Sequence, residues 1–182
     1  MTTSELIDIP AATADTPLNA IAAATADAVG KNPTNAVAVF AADGLATDGV
    51  ASEISARKFS VTVDEPATLG GADTAPNPVE YYLVGLLSCQ VVTYRFWAQR
   101  LGIVVDSIKL HAEGDLDVRG FFGLDDEVRP GFTQVRVVVD VQGPETADRY
   151  VELQRVVEAH CPVLDLTVNP TPVTSELRIN QD

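Results

Sequence analysis

Residues 77–102 read NPVEYYLVGLLSCQVVTYRFWAQRLG, and the order of residue types in this stretch predicts one long helix over 78–101. Asn77 supplies an N-cap oxygen, and Pro78 stands at the first helical position, where its missing N–H is no loss. Glu80 falls three residues after the cap, the spacing of a capping box. Gly102 ends the run, as a glycine just past a helix does. From Val79 to Val92 apolar residues fall on nearly every face, so the helix is predicted to be buried on all sides. Cys89 lies in its middle.

Working outward, residues 1–15 are polar and Ala/Thr-rich without a period and are expected to be flexible. Thr16 and Pro17 start a helix over 17–30, with Leu18, Ile21, Thr25 and Ala28 at helical spacing and Gly30 as its end. Strands are expected over 36–40, 49–55 and 58–63, with turns at Asp43-Gly44 and Asp48-Gly49. Residues 64–77, DEPATLGGADTAPN, form a loop whose glycine pair lacks the Lys-Ser/Thr of a phosphate loop. After the long helix come a strand over 103–118, a Gly-rich loop over 119–131, a strand over 132–141 and an amphipathic helix over 145–160. A short helix opens at Cys161-Pro162, and a last strand covers 173–179. Strands and helices come in blocks without βαβ alternation, which gives the α+β class with antiparallel sheet in a single domain over 16–182.

The 182 residues are 46% hydrophobic and carry a net charge of -14. So acidic a chain repels phosphate backbones and anionic lipid, so neither nucleic acid nor a membrane surface is an expected partner. Glu80, Ser88, Gln90 and Arg95 interrupt the most hydrophobic stretch before it could span a bilayer. Glu5, Asp8 and Asp15 precede the first basic residue, Lys31, so the start lacks the cationic segment of a secretion signal, and a cytoplasmic location is expected. Two cysteines in such a chain are buried small hydrophobes or reactive thiols, not a disulfide scaffold.

Four segments together resemble the OsmC/Ohr family: DEPATLGGADTAPNPVEYYLVGLLSC (64–89), GDLDVRGFFG (114–123), VRPGF (128–132) and HCPV (160–163). The likeness is to the broad OsmC-like branch more than to the organic hydroperoxide resistance branch. It implies an intertwined homodimer in which curved antiparallel sheets enclose central helices, with active sites at the subunit interface. It further implies a thiol-dependent peroxidase that reduces organic hydroperoxides. Cys89 would attack the peroxide bond, Cys161 would resolve it as a disulfide, and a dithiol such as a lipoyl group or a thioredoxin-like reductant would regenerate both. No cofactor is implied. The rival expectation is a non-enzymatic protein that binds a small apolar ligand in the same pocket; trapping of electrophiles is a third.

Each candidate carries two readings. A reactive Cys89 needs a nearby cation or helix terminus and an apolar pocket, for which Leu83, Leu86, Leu87 and Tyr94 are at hand; otherwise it is packing. Cys161, just before Pro162, stands where a helix N-terminus favours a thiolate, or it is a buried cap. Glu80 follows the Asn-Pro pair one residue later than the glutamate of the peroxide-reducing branch, a rotation of about 100° on a helix; it serves the capping box, the catalytic site or both. Arg57 is the candidate activating cation, reaching Cys89 across a dimer interface, against a sheet-edge salt bridge. Arg119 is expected to pair with Asp115 or Asp117. A metal set of His111, His160, Cys89 and Cys161 has no short ligand spacing and is set aside.

Overall fold

A computed structural model describes residues 17–179; the expectations for residues 1–15 and for the Thr16 cap lie outside them. The chain has a mixed α/β architecture with two antiparallel sheets. One is three-stranded, in the order β1 (Asp43–Ala46), β2 (Ser52–Ala56), β3 (Phe59–Val63); the other pairs β4 (Ser107–Asp115) with β5 (Gln134–Gln142). The helices are α1 (Leu18–Lys31), α2 (Pro78–Leu101), the short α3 (Val118–Phe121), α4 (Ala147–His160) and α5 (Pro162–Val168).

The caps behave as the sequence indicates. The Asn77 side chain accepts from the Glu80 N–H at 2.9 Å while Glu80 Oε2 accepts from the Asn77 N–H at 2.8 Å, closing the capping box, and Gly102 takes the left-handed conformation with φ 63°. β4 and β5 alternate as half-buried strands should: Ile108, Leu110 and Ala112 face inward opposite Val141, Val139 and Val137. Outside, Arg136 lies directly across from Glu113 and pairs with both Glu113 and Asp115; the hydrogen bond with His111, then that from Arg136, holds the Glu113 carboxyl below the ordinary range, and the Arg136 hydrogen bond does the same for Asp115.

Several expectations are corrected. Residues 36–40 form no strand: after a 3-10 turn at Pro33–Ala36 the chain runs on exposed, with Val39 and Phe40 about nine-tenths exposed. The first strand is instead Asp43–Ala46, where Asp43-Gly44 was expected to turn. The Asp48-Gly49 turn forms, with Gly49 at φ 62° and the Ala51 N–H bonded to Asp48 O. Residues 173–179 form no strand and leave Val173, Leu177 and Ile179 exposed. α1 runs through Gly30 to Lys31, and Pro17 is its cap and not its first turn. Within one chain α2 is not buried on all sides: Leu86, Gln90, Thr93, Tyr94 and Ala98 are buried, while Val84 and Val92 are more than half exposed.

The core lies where α2 meets α4 over the β4–β5 sheet. Tyr94, Ala98, Ile103, Leu153 and Val157 are its buried members, with Trp97, Val105, Ile108, Val139 and Val141 packed against them. Fully burying a Leu or Val side chain is worth about 1.5–3 kcal/mol, and Leu86, Leu153 and Val157 are each fully buried. Polar links lock the far end. Arg149 donates to Leu101 O at 2.9 Å, and the Tyr150 hydroxyl donates to Val104 O at 2.9 Å.

The loop before α2 is organised by Asp64, which is 2% exposed. Its carboxylate accepts from the N–H groups of Glu65, Ala72 and Thr74 and from the Thr74 hydroxyl; these bonds, the Thr74 N–H foremost, depress its pKa. Gly71 closes over the same carboxylate so tightly that an added Cβ would overlap the Glu65 carbonyl. Gly71→Ala is therefore expected to lower stability by about 1–3 kcal/mol, a Tm loss of several degrees. Gly85→Ala, where a Cβ meets open space, serves as the control in the same calorimetric melt.

Candidate active site

α4 packs back along α2. Arg149 meets the Leu101 carbonyl, and twelve residues further on in one helix and back in the other, about 18 Å at 1.5 Å per residue, stand Cys161 and Cys89. Seventy-two residues apart along the chain, they are brought near enough by the packing of α4 and α5 on α2 for the Cys89 side chain to act on the Cys161 thiol. Both are free thiols. Cys89 is partly exposed on α2, whereas Cys161 is 1% exposed at the junction between α4 and α5. α5 is itself tied to α2 by the Tyr82 hydroxyl, which donates to Thr167 Oγ1 at 2.7 Å.

Burial pushes the Cys161 thiol above its ordinary pKa, and the Cys89 side chain adds to that shift. The Leu164 N–H and the Thr93 hydroxyl act the other way without overcoming it. The expectation of a low-pKa thiol at this helix start is thus corrected. The physical reason is one of magnitude: a helix terminus is worth about 0.3–1 kcal/mol, less than one pKa unit, while burial shifts a group by up to about 3–5 units.

Thr93 is the residue that the sequence reading missed. It follows Cys89 by four residues, hence on the same helix face, and its hydroxyl donates to the Cys89 carbonyl at 2.8 Å. That spacing was the available signal. The other candidates are placed elsewhere. Glu80 closes the capping box nine residues before Cys89, about 13 Å along the helix. Arg57 sits in the turn between β2 and β3 at φ 57°, its guanidinium 5.2 Å from the centre of the Phe59 ring. Tyr94, expected to line the thiol pocket, belongs to the core between α4 and the β4–β5 sheet, and there burial, with Glu158 nearby, raises its pKa to about 12. Arg119 pairs with Asp117 and also with Asp125; Asp115 goes to Arg136. His160 stacks on Trp97 at 4.4 Å between ring centres, while His111 meets Glu113 on the outer face of β4.

Residues 70–176 match the family described as OsmC-like protein. The chain belongs to the OsmC family. Solved OsmC-type structures share the fold at low identity. An OsmC-like protein from Mycoplasma pneumoniae is 14% identical with a TM-score of 0.63, covering 71% of this chain and 87% of its own. An organic hydroperoxide resistance protein OsmC from Legionella pneumophila is 16% identical with a TM-score of 0.56, over 72% and 90% of the two chains. An organic hydroperoxide resistance protein from Elizabethkingia anophelis is 17% identical with a TM-score of 0.58, over 74% and 91%. No curated protein matches the chain. Among the described residues no helix is long and apolar enough to cross a membrane.

The buried OsmC thiol makes a titration prediction. Because the native pKa of Cys161 is raised, the unfolded chain loses this proton first. The group therefore contributes nothing to pH dependence below the ordinary thiol value of about 8.5, and stability falls as pH rises beyond it. In a Cys89→Ser variant, ultraviolet thiolate absorbance of Cys161 is expected to appear only above that value; ionisation at neutral pH would contradict the burial argument.

Proposed function

We propose that the chain is a thiol-dependent peroxidase for organic hydroperoxides, with Cys89 as the attacking thiol and Cys161 as the resolving one. The observation that supports this reading is a pair of free cysteines of unequal exposure, Cys89 partly exposed on α2 and Cys161 buried at the α4–α5 junction, with the first acting on the second. The accessible sulfur is the one a hydroperoxide reaches. The buried sulfur, kept protonated until needed, suits attack on an adjacent sulfenic acid. The names of the Legionella and Elizabethkingia structures point the same way.

In balanced form, Cys89 takes the terminal oxygen of ROOH, releasing ROH and leaving a sulfenic acid. Cys161 then condenses with it, forming the disulfide and releasing water. A dithiol, a lipoyl group or a thioredoxin-like protein, reduces the disulfide and is itself oxidised to one. The cation that activates Cys89 is assigned to Arg57 of a second copy in a homodimer, since within one chain Arg57 stands in the turn between β2 and β3 beside Phe59. Glu80 acts through that arginine, since its distance along α2 separates it from the thiol.

The unpartnered surfaces support the dimer. Among the described residues no helix packs broadly on the β1–β3 sheet, which meets α2 through the Tyr81 hydroxyl donating to Thr62 O at 2.9 Å and leaves Phe59 and Val61 exposed. α2 itself exposes Val84 and Val92. Exposed apolar side chains of this kind are what a second copy would cover. Light scattering at micromolar concentration is expected to give twice the chain mass of 19.3 kDa; a monomer would remove the proposed source of the cation.

A second reading, binding of a small apolar ligand, draws on a cavity of about 260 Å³ that contains no cysteine and is lined by Tyr94, Val139, Val141, Tyr150 and Val151 among others. One experiment separates the two. Cumene hydroperoxide added to reduced protein is expected to consume both thiols stoichiometrically, and Cys89→Ser to abolish the loss. Unchanged thiols, with thermal stabilisation by the hydroperoxide or its alcohol, would favour the binder.

A further inference from the structure

We propose that the cavity beneath α4 is a binding site for a small neutral compound with one hydrogen-bond-accepting oxygen, a ketone or ether on an aromatic or branched apolar body, anchored by the Tyr94 hydroxyl. This rests on the apolar-ligand reading of the cavity and not on the thiol chemistry. Three elements wall the space: α2 through Tyr94, the inward face of β5 through Val139 and Val141, and one face of α4 through Tyr150, Val151 and Gln154. Its volume of about 260 Å³ exceeds the roughly 150 Å³ in which an apolar protein cavity binds benzene. A ring bearing a short substituent therefore fits.

The Tyr94 hydroxyl supplies the recognition. Tyr94 is 2% exposed, and a buried tyrosine hydroxyl usually finds a hydrogen-bond partner; among the described residues this one has none. Glu65 Oε2 is the one side-chain nitrogen or oxygen among them that is fully enclosed without a partner. The Tyr94 oxygen, equally unpartnered, is therefore not sealed in, and the space that Tyr94 lines is this cavity. Its polar neighbours are committed elsewhere. The Tyr150 hydroxyl donates to Val104 O at 2.9 Å and accepts from the Glu145 N–H at 3.2 Å, and the Gln154 amide donates to Glu158 Oε1 at 2.9 Å. Burial, then the Glu158 charge, raises the Tyr94 pKa to about 12, so at neutral pH the hydroxyl keeps its proton and can donate it. Among the described residues no lysine, arginine or histidine lines the cavity, and Glu158 stands near. An anion is thus repelled, and an acceptor oxygen on a neutral apolar molecule is favoured.

The test titrates acetophenone into the full, reduced chain by calorimetry, with ethylbenzene, which lacks the carbonyl, and benzoate, which is charged, as comparators. Acetophenone is expected to bind saturably and about tenfold more tightly than ethylbenzene, the equivalent of one hydrogen bond, and benzoate not to bind. Tyr94→Phe removes a hydroxyl with no partner in the chain, so its melting temperature should match or exceed the parent's. Its affinity for acetophenone is expected to fall about tenfold and that for ethylbenzene to stay unchanged. Val151→Trp, at a position 64% exposed at the mouth of the cavity, should close it and abolish binding of both. The proposal is overturned by acetophenone that fails to bind, that binds Tyr94→Phe as tightly as the parent or that still binds Val151→Trp. A lower melting temperature for Tyr94→Phe, or benzoate bound as tightly as acetophenone, overturns it as well. Ethylbenzene bound as tightly as acetophenone overturns it but leaves the apolar-ligand reading standing; if neither binds, both fall. Thiol loss to cumene hydroperoxide, measured on the same protein, reports on the peroxidase reading separately.

Discussion

The seating of α4 on α2 is the contact on which everything else depends. Neither helix could hold its position alone, since an isolated 14-residue helix such as α4 is marginal in water. Their shared burial of Tyr94, Ala98, Leu153 and Val157 fixes the register, and Arg149 and Tyr150 pin the end where α2 gives way to Ile103. Once register is fixed at Leu101, the rise per residue of an α-helix brings the end of α4 to the middle of α2. The cysteine pair is in this sense a by-product of hydrophobic packing some 18 Å away. A core substitution that let α4 slide by one turn, about 5.4 Å, would part the two sulfurs without touching either.

The same packing leaves the two sulfurs unequally exposed. Cys89 is partly exposed on α2, while Cys161, at the α4–α5 junction, is 1% exposed. Its desolvation outweighs the backbone N–H that points at it, because a seven-residue helix contributes little field and a buried charge has little solvent to replace. Burial is thus the leading cause of the raised pKa of Cys161. Unequal exposure of this kind gives a dithiol site an order of events.

Much of this was legible in the sequence because helix ends are written in local chemistry. Asn77, Pro78, Glu80 and Gly102 fixed α2 to the residue, and Pro162 fixed the start of α5. The strands failed for the opposite reason. Val37, Val39 and Phe40, and again Val173, Leu177 and Ile179, carry β-type residues in plausible alternation, but a strand exists only with a partner, and the described residues offer these segments none. Asp43-Gly44 shows the converse: a turn-type pair was drawn into β1 because Gly44 pairs with Ile54, whose Cδ1 would leave a Cβ at Gly44 only 3.0 Å of room. Local propensity carried no information about either outcome. The juxtaposition of Cys89 and Cys161 was implied by the family resemblance and by nothing local, while Thr93 was within reach of a helical-face argument that stopped one turn short.

The misjudged burial of α2 carries the last step. Its sequence is apolar around most of its circumference, as befits a helix with no solvent face, yet Val84 and Val92 stand open and, among the described residues, no helix packs broadly on the β1–β3 sheet. Hydrophobic pattern is selected against the environment in which the chain works, not against the single chain. A helix that reads as fully enclosed but is half covered, beside a sheet with nothing to cover, describes two halves of one missing contact. A second copy would cover both, which is the physical ground on which the dimer is proposed.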